Sequence, residues 1–185
     1  MTRPLLVLIS GPPGCGKTTL AAALSDRLNV PLVSLDQVKA SLGLLASADD
    51  AGLGGFTGQR AFAAAYAVLN TYLEHGVSVI AEKAWRRGRS EPELLPLLAL
   101  SRGVQVHVSA TQELAVARGL ARPARPGLVD MAEVQKALLA GDLVWSDFDP
   151  LALDVPLLQV RTDDGPVDLG AVERDLAGMV TFGGA

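Results

Sequence analysis

Apolar residues fall into two kinds of segment along this chain. Short runs rich in Val, Leu and Ile recur at Leu5–Ser10, Pro31–Leu35, Val77–Ala81, Val104–Ser109 and Pro156–Val160. Each is punctuated by Gly, Pro or charge and has the length of a strand buried on both faces. Between them Ala and Leu return at helical spacing, at Lys17–Leu28, Asp36–Leu45, Gln59–Glu74, Glu91–Leu100, Thr111–Leu120, Asp130–Leu139 and Val167–Val180. Some of these stretches are introduced by Asp, Ser or Thr, the residues that cap helices. Buried strands separated by helices predict a parallel sheet with right-handed crossovers, a three-layer α/β arrangement. In such sheets active sites form beyond the carboxyl ends of the strands.

Two segments break the pattern. "SADDAGLGGFTGQ", Ser47–Gln59, is Gly-rich and is expected to lack regular structure, and "LARPARPGL", Leu120–Leu128, alternates Arg with Pro and should end any helix. Both are expected as loops, either beside a site or as plain connectors. The chain has 185 residues, 49% of them apolar, which suits one domain over residues 1–185. Its 16 basic and 20 acidic residues form no block of like charge, which argues against non-specific attraction to nucleic acid or to an anionic membrane. A small molecule is the expected partner. No apolar run approaches the roughly 20 residues of a membrane helix and no leader pattern is visible, so a soluble, cytoplasmic protein is expected. The single Cys15 has no disulfide or metal-binding companion.

The chemistry concentrates in "LISGPPGCGKTTLAAALSDRL", Leu8–Leu28. Gly11, Gly16, Lys17 and Thr18 fill the pattern G-x-x-x-x-G-K-[ST], with Pro12, Pro13, Gly14 and Cys15 between them. A backbone that wraps its N–H groups around phosphate oxygens needs glycine for positive φ and close approach, and the helix that follows adds its positive end. Lys17 is expected at the β and γ phosphates, Thr18 on Mg²⁺ and Thr19 near the α phosphate. The pattern also lies between an expected strand and an expected helix, the context it requires.

This loop, followed by "VSLDQVKASL" and "GVSVIAEKAW", resembles the small P-loop kinases that phosphorylate metabolites or antibiotics: the gluconate and shikimate kinase group and chloramphenicol phosphotransferase. The resemblance implies a three-layer P-loop NTPase fold with a five-stranded parallel sheet and a short Arg-containing lid at about residues 118–128. It implies ATP and Mg²⁺ as cofactors and transfer of the γ-phosphoryl group to a small-molecule hydroxyl. In those kinases an Asp at the second strand end, often with a basic residue three positions on, holds the acceptor. Asp36 and Lys39 meet that spacing, and Asp36 is the candidate base; the plainer reading is that Asp36 caps the next helix. Glu82, ending the third strand, resembles the second acidic site that supports Mg²⁺, although Glu stands for the commoner Asp and Lys83 follows it; the alternative is a surface salt bridge. Trp85 and Arg86, in "WRRGR", either line an acceptor pocket or belong to a solvated loop.

Arg118 and Arg122 are a helical turn apart, with Arg125 beyond. In the kinases this chain resembles, a lid carries arginines onto the phosphates and excludes water; a solvated helix end is the alternative. After the fifth strand such kinases present the adenine to a loop opening Asp-Thr. Here the pair is Arg161-Thr162, which leaves Thr162 as the expected contact without the Asp. The Asn-Lys-x-Asp guanine signature is absent from the sequence, which favours ATP. His75 and His107 suggest packing or helix-end roles. Two other uses of the nucleotide stay open. One is a nucleoside or nucleotide kinase gripping its acceptor with Ser47–Gln59 and Arg60. The other is a switch ATPase acting on a protein partner, although no apolar run ends in Asp-Glu.

Overall fold

The computed structural model describes residues 3–43, 56–122 and 130–182. Five strands, β1 (Leu5–Ser10), β2 (Leu32–Ser34), β3 (Val79–Glu82), β4 (Arg102–Ser109) and β5 (Leu157–Arg161), pair in parallel in the order β2-β3-β1-β4-β5. Seven α-helices flank them among the described residues: α1 (Lys17–Leu28), α2 (Leu35–Gly43), α3 (Phe56–Glu74), α4 (Glu91–Leu100), α5 (Gln112–Leu120), α6 (Met131–Ala140) and α7 (Leu169–Phe182). This is the α/β P-loop kinase fold.

Strand alternation divides the core into two layers. Val7 and Ile9 of β1 pack with Leu20, Ala21 and Leu24 of α1 and Val172 and Leu176 of α7. Leu6 and Leu8 point the other way, onto Ala65, Leu69 and Leu73 of α3 and Leu94 and Leu97 of α4. Each fully buried aliphatic side chain contributes about 1.5–3 kcal/mol. β1 therefore sends its helix to one face, while β3 beside it sends α4 to the other. Divergence of this kind opens a crevice beyond the carboxyl ends of the two strands.

Several element ends differ from the sequence expectation, each for a local reason. β3 starts at Val79 rather than Val77 because Val77 still belongs to the end of α3. Gly76 takes φ 75° there, with its N–H on Leu73 O (3.0 Å) and the Val77 N–H on Tyr72 O (2.8 Å). That pair of bonds is a Schellman motif. α3 itself begins at Phe56, so the end of the Gly-rich segment is helical after all. One glycine, Gly58, costs a helix only about 1 kcal/mol, which the packed face downstream offsets. The rest of that segment, residues 47–55, lies outside the described residues. β4 starts two residues early because Arg102 pairs with Leu5, and a short 3-10 turn at Trp145–Phe148 had no sequence signal.

Candidate functional site

The loop after β1 has the shape its glycines require. Gly11, Gly14 and Gly16 take φ 131°, 81° and 94°. A Cβ on Gly11 would run into the Val108 carbonyl of β4, and one on Gly14 into the Ala115 carbonyl of α5. A Cβ on Gly16 would make only an ordinary contact with Thr162 Cγ2 at 3.9 Å, so that position needs glycine only for its φ. Close approach and positive φ thus coincide at Gly11 and Gly14. Gly11→Ala is expected to cost about 1–3 kcal/mol from backbone strain alone, and to weaken nucleotide binding at least tenfold, read by thermal unfolding and by titration with a fluorescent ATP analogue.

Lys17, at the start of α1, is 6% exposed, and its ammonium donates to Pro12 O at 2.9 Å. The buried Cys15 thiol donates to the same carbonyl at 2.8 Å, so this cysteine is a structural part of the loop. Burial raises its pKa above the usual thiol value, chiefly by desolvation, with Lys17 pulling against it.

Glu82 is 2% exposed and accepts the Ser34 hydroxyl of β2 at 2.6 Å, which sets aside the surface salt bridge. Burial pushes its carboxyl above the usual carboxylate range, while the Lys17 charge and the Ser34 and Thr18 hydroxyls pull it back and Asp36 pushes it up. Lys17, Thr18 and Asp36 therefore all act on the Glu82 carboxyl. Asp36 lies inside the first turn of α2 rather than at its cap, because the helix starts at Leu35 directly after β2.

One residue past the end of β3, Lys83 turns toward α3. Its ammonium sits 3.9 Å from the centre of the Phe62 ring. Burial holds it below the usual lysine range; Glu93 and Asp36 oppose that shift, while Lys39 and Arg86 add to it. Asp36, Lys39 and Arg86 thus act on Lys83 through their charge. Trp85 does not join them, and its place as a pocket wall is corrected. It is fully buried among Leu69, Leu73 and Leu94, with its indole N–H donating to Tyr66 Oη (3.2 Å), which in turn donates to Glu93 (2.9 Å). Covering by α3 and α4 makes it core. Arg60 is exposed on α3.

Arg118, in the last turn of α5, is held by Thr162 just past β5. Its guanidinium donates to Thr162 Oγ1 (2.9 Å) and O (2.8 Å). The Thr162 hydroxyl faces Cys15 O at 3.1 Å, so the end of β5, the phosphate loop and α5 are tied together. Arg122 is exposed two residues beyond the end of α5, and so does not share a helix face with Arg118 as expected. Arg125 and the rest of the expected lid, residues 123–129, lie outside the described residues. His107 is a buried strand residue near Ser10 Oγ (3.4 Å), its pKa lowered by burial.

A glycine-built cradle at the end of the central strand of a β2-β3-β1-β4-β5 sheet is the mark of a P-loop protein. The family model described as "AAA domain" matches residues 6–140. The chain belongs to the AAA-domain family. In fold this AAA-domain chain is similar to a candidate kinase from Chloroflexus aurantiacus (27% identity, TM-score 0.82, covering 96% of this chain and 99% of that one). It is also similar in fold to an APS kinase from Mycobacterium tuberculosis solved with AMPPNP and APS (11%, TM-score 0.61, 98% and 99%). A gluconokinase from Sinorhizobium meliloti shares the fold too (17%, TM-score 0.55, 98% and 95%). An uncharacterized AAA domain-containing protein of Schizosaccharomyces pombe is 59% identical over 32 residues, which are 17% of this chain and 4% of that protein. No helix among the described residues of this AAA-domain chain is long and apolar enough to cross a membrane.

Sequence reasoning passed over Lys83 as a departure from the acidic-site pattern. The letters beside Glu82 carried no signal of its place, because one residue past the strand it meets the Phe62 ring of α3.

Proposed function

We propose that this protein is an ATP-dependent phosphotransferase that moves a γ-phosphoryl group to a hydroxyl of a small molecule. The observation that carries this reading is the phosphate loop itself: Gly11 and Gly14 approach backbone too closely for a Cβ, Lys17 is buried at the start of α1, and the buried Glu82 closes the neighbouring strand. Asp36, in the first turn of α2 directly after β2, is the carboxylate we assign to the acceptor hydroxyl. Phosphoryl transfer is catalysed mainly by positioning and by charge stabilisation, and asks for little else.

The glycines whose Cβ positions are blocked by backbone fit a cradle that lets phosphate oxygens approach the chain. Thr18 and the buried Glu82 are hard oxygen donors side by side, a set that suits Mg²⁺ held through phosphates and water. When bound, the ion would neutralise charge on the transferring group. Lys17 would exchange the Pro12 carbonyl for phosphate oxygens. Asp36 would accept the acceptor's hydroxyl proton as the new oxygen–phosphorus bond forms and the bond from the γ-phosphorus to its bridging oxygen breaks, releasing ADP. Arg118 and Arg122 would neutralise phosphate charge, with Thr162 close to the base and Lys39 and Arg86 on the acceptor.

The test is ATP turnover with Mg²⁺, alone and with sugar acids, nucleosides, nucleoside monophosphates and hydroxylated antibiotics, following ADP release and product mass. A low basal rate raised by one acceptor that gains a phosphoryl group is the expected result. Brisk hydrolysis to free phosphate with no acceptor would overturn the reading in favour of a switch ATPase.

A further inference from the structure

We propose that Thr162 is a positioning residue of the nucleotide site: its hydroxyl holds the peptide between Cys15 and Gly16 so that the Gly16 N–H faces the phosphates, and with its own carbonyl it seats the Arg118 guanidinium beside them. This rests on the nucleotide-binding part of the phosphotransferase reading and adds to it a residue that acts through two others.

Three observations carry it. First, Thr162 is fixed where it stands. It is buried just past β5, and its N–H donates to Ser109 O at the end of β4 (3.0 Å). The next residue, Asp163, accepts the N–H of Thr111, the N-cap of α5, at 2.7 Å. Residues 162 and 163 therefore grip α5 at both ends, through Thr111 at its start and Arg118 in its last turn. Second, the Thr162 hydroxyl is committed within the protein. It accepts Arg118 Nη1 at 2.9 Å, which leaves its single proton for a carbonyl, and Cys15 O (3.1 Å) is nearer than Ser109 O (3.3 Å). Arg118 Nη2 donates to Thr162 O at 2.8 Å, so two bonds to one residue set both the place and the plane of the guanidinium fork. Third, the Cys15 carbonyl belongs to the phosphate loop. In a planar trans peptide the C=O and the N–H that follows it point in opposite directions. Drawing Cys15 O toward the end of β5 turns the Gly16 N–H away from β5, to the side where a phosphate cradle needs its donors. One hydroxyl thus sets a backbone donor of the loop and a cation of α5 together. A valine would fill the same space and set neither.

The experiment titrates inorganic tripolyphosphate and ATP, each with Mg²⁺, into the full chain and its variants by calorimetry. Tripolyphosphate offers the phosphates without the base. Thr162→Val is expected to weaken both ligands by about tenfold or more, the scale of hydrogen bonds to charged groups, while Thr162→Ser, which keeps the hydroxyl, stays within about threefold of the wild type. Arg118→Met should cost less in the Thr162→Val background than alone, because the arginine is already unseated there. Selective isotope labelling of glycine nitrogen gives a readout on the unaltered protein, independent of how the variants fold: the Gly16 amide proton should move downfield when tripolyphosphate binds. Unchanged affinity of Thr162→Val for both ligands would overturn the assignment. So would a loss confined to ATP, which would put the hydroxyl at the base, full additivity with Arg118→Met, or a Gly16 amide that does not respond. Wild-type protein that binds neither ligand would sink the nucleotide reading along with it, whereas the other outcomes leave that reading standing.

Discussion

Replacing Lys17 with alanine is expected to lower kcat/KM for ATP by about 10²–10³-fold or more, the scale of losing one preorganised charge-stabilising donor, with the fold left intact. The ammonium is nearly buried and rests on a neutral carbonyl of its own loop. A phosphate oxygen in place of that carbonyl turns a neutral acceptor into a charged one, in a setting where water is scarce and charge-assisted bonds are strong. Stability should change by about 1 kcal/mol or less, because the Pro12 carbonyl keeps the Cys15 thiol as a donor and a buried ammonium is removed at the same time. The variant has a second effect on the same site. Lys17 is the main cation opposing the burial of Glu82, so its loss drives the Glu82 carboxyl still higher and weakens the oxygen pair it forms with Thr18. ATP turnover, nucleotide titration and thermal unfolding on one preparation check all three statements. Turnover near the wild-type rate would place the phosphates elsewhere.

The elements of this chain were legible because central parallel strands bury both faces and so read as unbroken apolar runs, while the helices between them repeat at 3.6 residues. The phosphate loop was legible for a different reason. Its glycines answer local demands, a positive φ and a blocked Cβ, that leave a mark within the six letters from Gly11 to Gly16. What stayed hidden depends on residues far away in the chain. An acid or a tryptophan just past a strand looks the same whether or not another element covers it. Only the packing of α3 and α4, on either side in sequence, makes Trp85 core, and only Ser34 from β2 shows Glu82 to be a buried, held carboxylate. Arg118 stood out as an arginine on a helix, but its partner Thr162 lies 44 residues on, joined to it through the strand order that sets β5 beside β4. Lys83 was visible as a charge beside Glu82, but its contact with the Phe62 ring comes from α3, another element of the chain.

Asp36→Asn separates binding from transfer. Acceptor-dependent phosphorylation is expected to fall about 10²–10⁴-fold, the usual worth of a positioned base, while ATP still binds. Asparagine has the shape of aspartate, so the first turn of α2 and the side chain's reach are kept, but it cannot take the hydroxyl proton. The charges nearby fix the sign of the remaining changes. Asp36 pushes the Glu82 carboxyl upward by like-charge repulsion. Removing that repulsion favours the ionised Glu82, so affinity for ATP with Mg²⁺ should hold or improve slightly rather than decline. On the other side Asp36 supports the charged form of Lys83. Losing it lowers the Lys83 pKa further and favours the neutral amine. A fall in kcat with KM for both substrates held or lowered marks a group that acts in the transition state. Single-turnover transfer from labelled ATP, with separate titrations of ATP and acceptor, reads each quantity. If the variant transferred phosphate at close to the wild-type rate, the proton would be leaving by another route and Asp36 would be a positioning residue for the lysines around it.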